Sequence, residues 1–408
     1  MKYSRSKCSL SYLQKVLVGM LSGVAMLGAT LPANAQSPGV SPSTIKIGIL
    51  GSLTGPFAIF GTGQLAGATI AIEEANAAGG INGRKIEFIS IDDESSPPKG
   101  IAGYKRLVDQ EKVFAVLGPA ASAVGQAMLP ILKTSQTPTF ISIFSTPVVT
   151  EPPMRAVFRT GPMNDRQQGV AIANYVVDEL KGKRIAIIRQ SDEYGKRGGD
   201  SVEEQLKVRQ ANIVATEVFN ITDNDFSAQL GKIAAAQADV LVVYGYPNPS
   251  AIVTRQAKQL GLKATIMGAN SAGSRRYPQI VGEAAAGTHN ILTLDVLPED
   301  TTNPSAVRFN KVFAEKFPDL ARQGRPDLGD VLGYGGAKVF LEALNRAGKD
   351  LTQEGLILAL ESLNDFKGDM TLPTTFGPNR REGNQASRVV VIQDDLSRKV
   401  LPVIIKAD

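Results

Sequence analysis

The stretch from Ile45 to Asp93 constrains the fold of this chain more than any other. It opens with an apolar run of β type, Ile45-Lys46-Ile47-Gly48-Ile49-Leu50. A glycine-rich segment, Gly51 to Gly63, follows. Apolar positions then recur at Leu65, Ala68, Ala71, Ile72 and Ala75, the i, i+3, i+4 spacing of a helix face turned to a core. Asn76 to Gly83 is a cluster of turn residues that stops the helix, and Ile86 to Ile91 is a second strand ending in Asp92-Asp93. Strand, helix and strand in that order make one βαβ unit, the building block of a parallel sheet covered by helices. Such sheets bind small molecules beyond the carboxyl ends of their strands, so the Gly51 to Gly63 segment is predicted to border a ligand.

The same alternation continues along the chain. Helical spacing over 97–110 leads to a strand at 113–117, then the loop Gly118-Pro119-Ala120-Ala121-Ser122 and a helix to about Thr134. A strand at 139–143 runs into Phe144-Ser145-Thr146-Pro147, and a short strand follows at 155–159. Near 160–165 the pattern restarts as though a second domain begins. It gives helices at 166–180, 198–209, 224–236 and 250–260, and strands at 184–188, 213–218, 240–244 and 265–267. Three helical stretches near 303–317, 329–347 and 353–362 come next. Strand-like segments at 371–376, 387–393 and 399–404 end the chain. The helices are expected to return to the first domain and the tail strands to the second.

A length of 408 residues fits two domains of ordinary size. The first 35 residues read as a cleavable secretory leader: Lys2, Arg5, Lys7 and Lys15, an apolar run over 16–31, then Ala33-Asn34-Ala35 as a small-x-small cleavage site. Those four cations are most of the chain's excess positive charge. Without them 40 basic residues face 39 acidic ones, so no nucleic-acid surface is predicted. Residues 36–43, rich in Pro and Ser, read as a mobile tether.

Catalytic and metal chemistry find little purchase. The one cysteine, Cys8, lies in the leader, and the one histidine, His289, follows an Ala/Gly run. Neither a nucleophile with its base nor an ordinary structural zinc site can be assembled from that set. Gly61-x-Gly63-x-x-Ala66 matches the dinucleotide fingerprint formally, but it starts about ten residues too late after its strand. No enzyme activity and no cofactor are predicted. What recurs instead, at strand ends in both halves, are loops bearing hydroxyls (Ser122, Ser145, Thr146), aromatic rings (Phe60, Tyr194, Tyr246) and Asn270. Hydroxyls and free N–H groups suit a carboxylate, and rings suit an apolar body.

One resemblance covers essentially all of the chain beyond the leader. Ile72-Glu73-Glu74-Ala75-Asn76-Ala77-Ala78-Gly79-Gly80-Ile81-Asn82-Gly83-Arg84-Lys85 followed by Asp92-Asp93 is its most specific part. Thr54-Gly55-Pro56, Asp192-Glu193-Tyr194-Gly195, Arg255-Gln256-Ala257 and Phe376-Gly377-Pro378 support it. The chain resembles the type I periplasmic solute-binding proteins of ABC importers, in the branched-chain (leucine/isoleucine/valine) amino-acid-binding family. The resemblance implies an α/β fold of two doubly wound parallel-sheet lobes joined by three crossovers near 161–165, 293–297 and 365–372. Lobe 1 would hold 44–162 with 295–368, and lobe 2 would hold 163–294 with 369–408. It places the carboxylate-binding positions on Ser122 and Thr146, with Ser145 and the backbone near Phe144 beside them, and the cleft aromatics on Phe60, Tyr194 and Tyr246.

There is one departure. Amino-acid binders of this family set a glutamate opposite the ligand's ammonium group, and that position here is Asn270. Enclosing a cation without a counter-charge costs several kcal/mol, against the roughly 8 kcal/mol that a micromolar site has in total. Either the ligand is an aromatic or aliphatic carboxylate or an amide, or another acid such as Asp192 or Glu193 takes over. The expected role is a monomeric, periplasmic binding protein that closes on a small carboxylate-bearing solute and delivers it to the permease subunits of an importer. A sensor using the same clamshell to signal to a membrane receptor, and an exported hydrolase, are the alternatives.

Overall fold

The computed structural model describes Met1 and residues 37–407; the predicted leader and cleavage site lie outside the described residues. Two sheets organise the chain. The first contains β1 (Thr44–Gly51), β2 (Lys85–Asp92), β3 (Val116–Leu117), β4 (Thr139–Ile141) and β5 (Val157–Arg159), all parallel, in the order β2-β1-β3-β4-β5. The second contains β6 (Ile185–Gln190), β7 (Ile213–Phe219), β8 (Val240–Tyr244), β9 (Thr265–Gly268) and β10 (His289–Leu292). Two antiparallel tail strands, β11 (Ala386–Ile392) and β12 (Arg398–Lys406), complete it in the order β12-β11-β10-β9-β8-β6-β7. This is a two-lobe, parallel-dominated α/β fold. Position in the sheet explains composition. β8, Val-Leu-Val-Val-Tyr, is buried along its whole length, as befits a central parallel strand covered on both faces. The edge strand β2, Lys-Ile-Glu-Phe-Ile-Ser-Ile-Asp, interleaves polar and apolar residues, and the edge strand β12 carries its charges at its two ends. Among the described residues no helix is long and apolar enough to cross a membrane.

The first helix, Ala58–Ala77, starts earlier than the sequence pattern indicates. Gly61 and Gly63, read as loop, sit inside it because the Leu328–Ala347 helix lies directly across. A Cβ on Gly63 would come within 2.7 Å of the Gly329 backbone, and one on Gly67 would run into the carbonyl oxygen of Asp330. The formal dinucleotide fingerprint is therefore a helix-contact surface with no turn for a pyrophosphate. The Glu193–Val208 helix likewise begins five residues before the predicted 198, which puts Tyr194 on its first turn.

Three further features differ from the sequence reading. Residues 37–43, expected to be a mobile tether, are fastened to the first sheet. Ser41 Oγ accepts from the N–H of Thr44 at 2.8 Å, and the Gly39 carbonyl accepts from Lys46 at 2.7 Å. β10 had no counterpart in the predicted strands. Finally, residues 371–376 make only isolated bridges, and the segment beyond runs along β5 of the first sheet before entering β11. Arg159 N–H donates to the Arg381 carbonyl at 2.9 Å, and Gly383 N–H donates to the Arg159 carbonyl at 3.0 Å.

Candidate functional site

The loops at the carboxyl ends of the two sheets meet around a cavity of about 20 Å³, room for a single water molecule. Seven of the eight residues singled out from sequence line it: Phe60, Ser122, Phe144, Ser145, Tyr194, Tyr246 and Asn270. Thr146 does not. Its hydroxyl instead faces Glu193 Oε1 at 3.4 Å, and Glu193 is already paired with Arg197 at 2.7 Å. Asp192 is occupied too, capping its helix through the N–H of Gly195 at 3.0 Å. Neither of the two acids considered as replacements for a glutamate lines the cavity.

The hydroxyl side is built by two loops of the first sheet, those after β3 and β4. Ser122 opens the helix Ser122–Ala127, and its Oγ accepts from the N–H of Ser145 at 3.3 Å, which leaves the Ser122 proton for another acceptor. Ser145 Oγ donates to Asp165 Oδ1 at 2.6 Å. The loop is held from behind by Arg159, which is fully buried. Its guanidinium donates to the carbonyls of Phe144 and Thr146, the latter at 2.7 Å, and pairs with Glu382 at 2.9 Å. With those carbonyls pulled back by a charge-assisted pair, the loop has one orientation available.

The opposite wall is aromatic. Phe57 stacks on Phe60 with centroids 4.8 Å apart, meets Tyr246 at 4.8 Å, and Tyr246 stacks on Tyr194 at 5.2 Å; Tyr194 meets Tyr244 at 4.9 Å. Five rings thus form a continuous file from the first lobe to the second. The hydroxyl of Tyr194 donates to Ser271 Oγ at 3.1 Å, which in turn donates to the Gly245 carbonyl at 2.6 Å. Burial drives the Tyr194 and Tyr246 phenols well above their ordinary range, so both remain neutral donors.

Asn270 is oriented unambiguously. Its Oδ1 accepts from the N–H of Thr293 at 2.9 Å and from the Thr293 hydroxyl at 2.7 Å. A backbone N–H can only donate, so the amide oxygen is fixed there and the NH₂ is left for the cavity. This position therefore offers a donor where an ammonium needs an acceptor.

The acid that sequence reasoning missed is Asp165. It follows the Asn164 cap of the Asp165–Asp178 helix, whose capping box with Gln167 is complete. Asp165 is fully buried. Its Oδ1 accepts from Ser145 and, at 3.2 Å, from Tyr244, while Oδ2 has no partner. Burial pushes its carboxyl up to about 7, against the pull of the Ser145 hydrogen bond and the Arg159 charge. An acid on the first turn of a helix is ordinarily solvated, so sequence carried no sign of its burial. Arg159 did carry one: a charge inside the apolar run Val157-Phe158-Arg159 needs a buried partner. The His289 ring, by contrast, has one hydrogen-bond partner among the described residues, the Tyr175 hydroxyl at 3.0 Å, at the start of β10.

Residues 44–396 match the family model described as periplasmic binding protein. A leucine-, isoleucine-, valine-, threonine- and alanine-binding protein of Pseudomonas aeruginosa is 30% identical over 262 residues, covering 64% of this chain and 70% of the relative. Among solved structures, the leucine binding protein LivK of Thermotoga maritima has a TM-score of 0.76 at 25% identity, over 89% of this chain and 99% of that one. The branched-chain amino acid transporter substrate binding protein LivJ of Streptococcus pneumoniae, in complex with isoleucine, has a TM-score of 0.75 at 26% identity, over 88% and 99%. Two lobes, a small cavity between their strand ends and these likenesses agree: the chain belongs to the type I periplasmic binding protein family, beside the leucine/isoleucine/valine-binding proteins, as a solute-binding protein.

Proposed function

We propose that the protein captures a small α-amino acid outside the cytoplasm by closing its lobes, and hands it to the permease of an ABC importer. The observation that carries this reading is the composition of one cavity. Hydroxyl donors from one lobe and aromatic rings from both converge where the two sheets end, and directly behind Ser145 lies a buried acid, Asp165, with one oxygen unpartnered among the described residues. In this reading the solute's carboxylate takes the Ser122 hydroxyl and the Asn270 amide, and its ammonium takes Asp165 Oδ2. Asn270 is then no obstacle to amino-acid binding, because the counter-charge comes from another segment of the cleft, the start of the Asp165–Asp178 helix. The secretory leader motif and the family support the extracytoplasmic setting and the importer.

Isothermal titration against amino acids and the matching carboxylates without an amino group tests this directly. One saturable site of micromolar affinity or better is expected for amino acids, with the deaminated analogues weaker. Ser122→Ala is expected to cost about 1.5–3 kcal/mol, the worth of a hydrogen bond to a charged group. Equal binding with and without the amino group would remove Asp165 from the account. Silence from every solute would remove the capture role.

A further inference from the structure

A second, much larger cavity of about 590 Å³ opens outward from the first. Phe57, Phe60 and Tyr246 line both, so the two spaces are separated only by side chains. The inner space has room for one water molecule and for no amino acid as it stands. A solute held at Ser122 and Asp165 must therefore part these rings, and the rest of it must extend into the outer chamber.

The charge balance of that chamber is uneven. Arg275, Arg276, Arg325 and Asp327 line it. Arg325 is neutralised by Asp330, which its Nε reaches at 3.0 Å, and Arg276 donates to Asn248 Oδ1 at 2.9 Å. Asp327 accepts from the N–H of Arg275 at 2.8 Å, from the Ser274 hydroxyl and from its own helix cap, so its oxygens are taken. The guanidinium of Arg275 has no hydrogen-bond or ion-pair partner among the described residues, although the side chain is only partly exposed. The remaining walls include Pro56, Ile59, Ile221 and Leu320, suited to methylene groups. A planar fork of donors in a chamber that also offers apolar wall matches a carboxylate on an aliphatic stem.

We propose that the outer chamber is a subsite for a second carboxylate, so that the preferred solutes are acidic amino acids with the side-chain acid seated on Arg275. This deepens the capture reading and rests on it. The test is titration of the purified protein with L-glutamate and L-2-aminoadipate against their neutral counterparts L-glutamine and L-norleucine, for the wild type and for Arg275→Gln and Arg275→Lys. The wild type is expected to bind an acidic member at least about tenfold tighter than its neutral counterpart, with a preference that shrinks as salt rises. Arg275→Gln is expected to cost the acidic solutes about tenfold more than the neutral ones. Arg275→Lys, which keeps the charge and loses the fork, should fall between. Wild-type binding of norleucine as tight as that of aminoadipate, or equal losses on both in Arg275→Gln, overturns the subsite and leaves the capture reading standing. Failure to bind any amino acid overturns both.

Discussion

Asp165 concentrates the chemistry of the site in one carboxyl group. Its unfolded value is the ordinary 3.8, and burial raises it to about 7 in the fold. The folded protein therefore holds a proton between these values that the unfolded chain has released, and stability falls as pH rises across that window before levelling off. The expected loss is on the order of a few kcal/mol, read as a declining melting temperature from pH 4 to pH 7. Asp165→Asn should flatten that decline. Binding of an ammonium-bearing solute should show the opposite slope. The carboxylate form is the one that pairs with the cation, so affinity is expected to rise from pH 6 to pH 8 in the wild type and to be level in the variant. An identical pH profile for the two proteins would show that Asp165 does not meet the ligand. The residue was invisible in sequence because its role comes from burial alone: Ser145, Tyr244 and Arg159 reach it from separate segments. The hydroxyls and rings were easier to find, since each sits just beyond a readable strand.

At the scale of elements, most strands were legible, β10 and the 371–376 segment excepted, and glycine-bearing helix starts were not. The predicted strand at 240–244 coincides with β8, because a central parallel strand is a short apolar run with turn residues at both ends. The Ala58–Ala77 and Glu193–Val208 helices lost their first turns in the sequence reading because glycine lowers helical propensity. Tertiary packing overrides that propensity. Gly67 lets the Leu328–Ala347 helix approach so closely that a methyl group would strike the Asp330 carbonyl, and Gly198 does the same against the ring of Tyr244. Gly67→Ala is accordingly expected to destabilise the protein by about 1–3 kcal/mol in denaturant unfolding, despite alanine being the better helix former. A gain in stability would mean that the two helices can separate without loss.

Across the whole molecule, the lobes are held together at the cleft by contacts that are few and identifiable. The Phe57–Tyr246 ring contact, the Thr146–Glu193 hydrogen bond and the Asp165 carboxyl with its Ser145 and Tyr244 donors span the cleft. Aromatic pairs contribute about 0.5–1.5 kcal/mol beyond area burial, enough to shift a closed–open equilibrium several-fold. Phe57→Ala is expected to raise the radius of gyration of the solute-free protein in small-angle scattering, with saturating solute restoring the compact value. A scattering curve unchanged by the substitution would assign closure to other contacts. The Arg159–Glu382 pair joins residues 223 positions apart and has a consequence for how the protein comes into being. A chain emerging from its N-terminus supplies the strands of the first sheet early, yet the guanidinium behind the Ser145 loop gains its direct ion-pair partner only when the last segment arrives. Stripping a buried ion pair of one member costs about 3–5 kcal/mol. A nascent chain shorter than 382 residues thus possesses every hydroxyl of the candidate pocket while still lacking the ion pair that braces the loop carrying them.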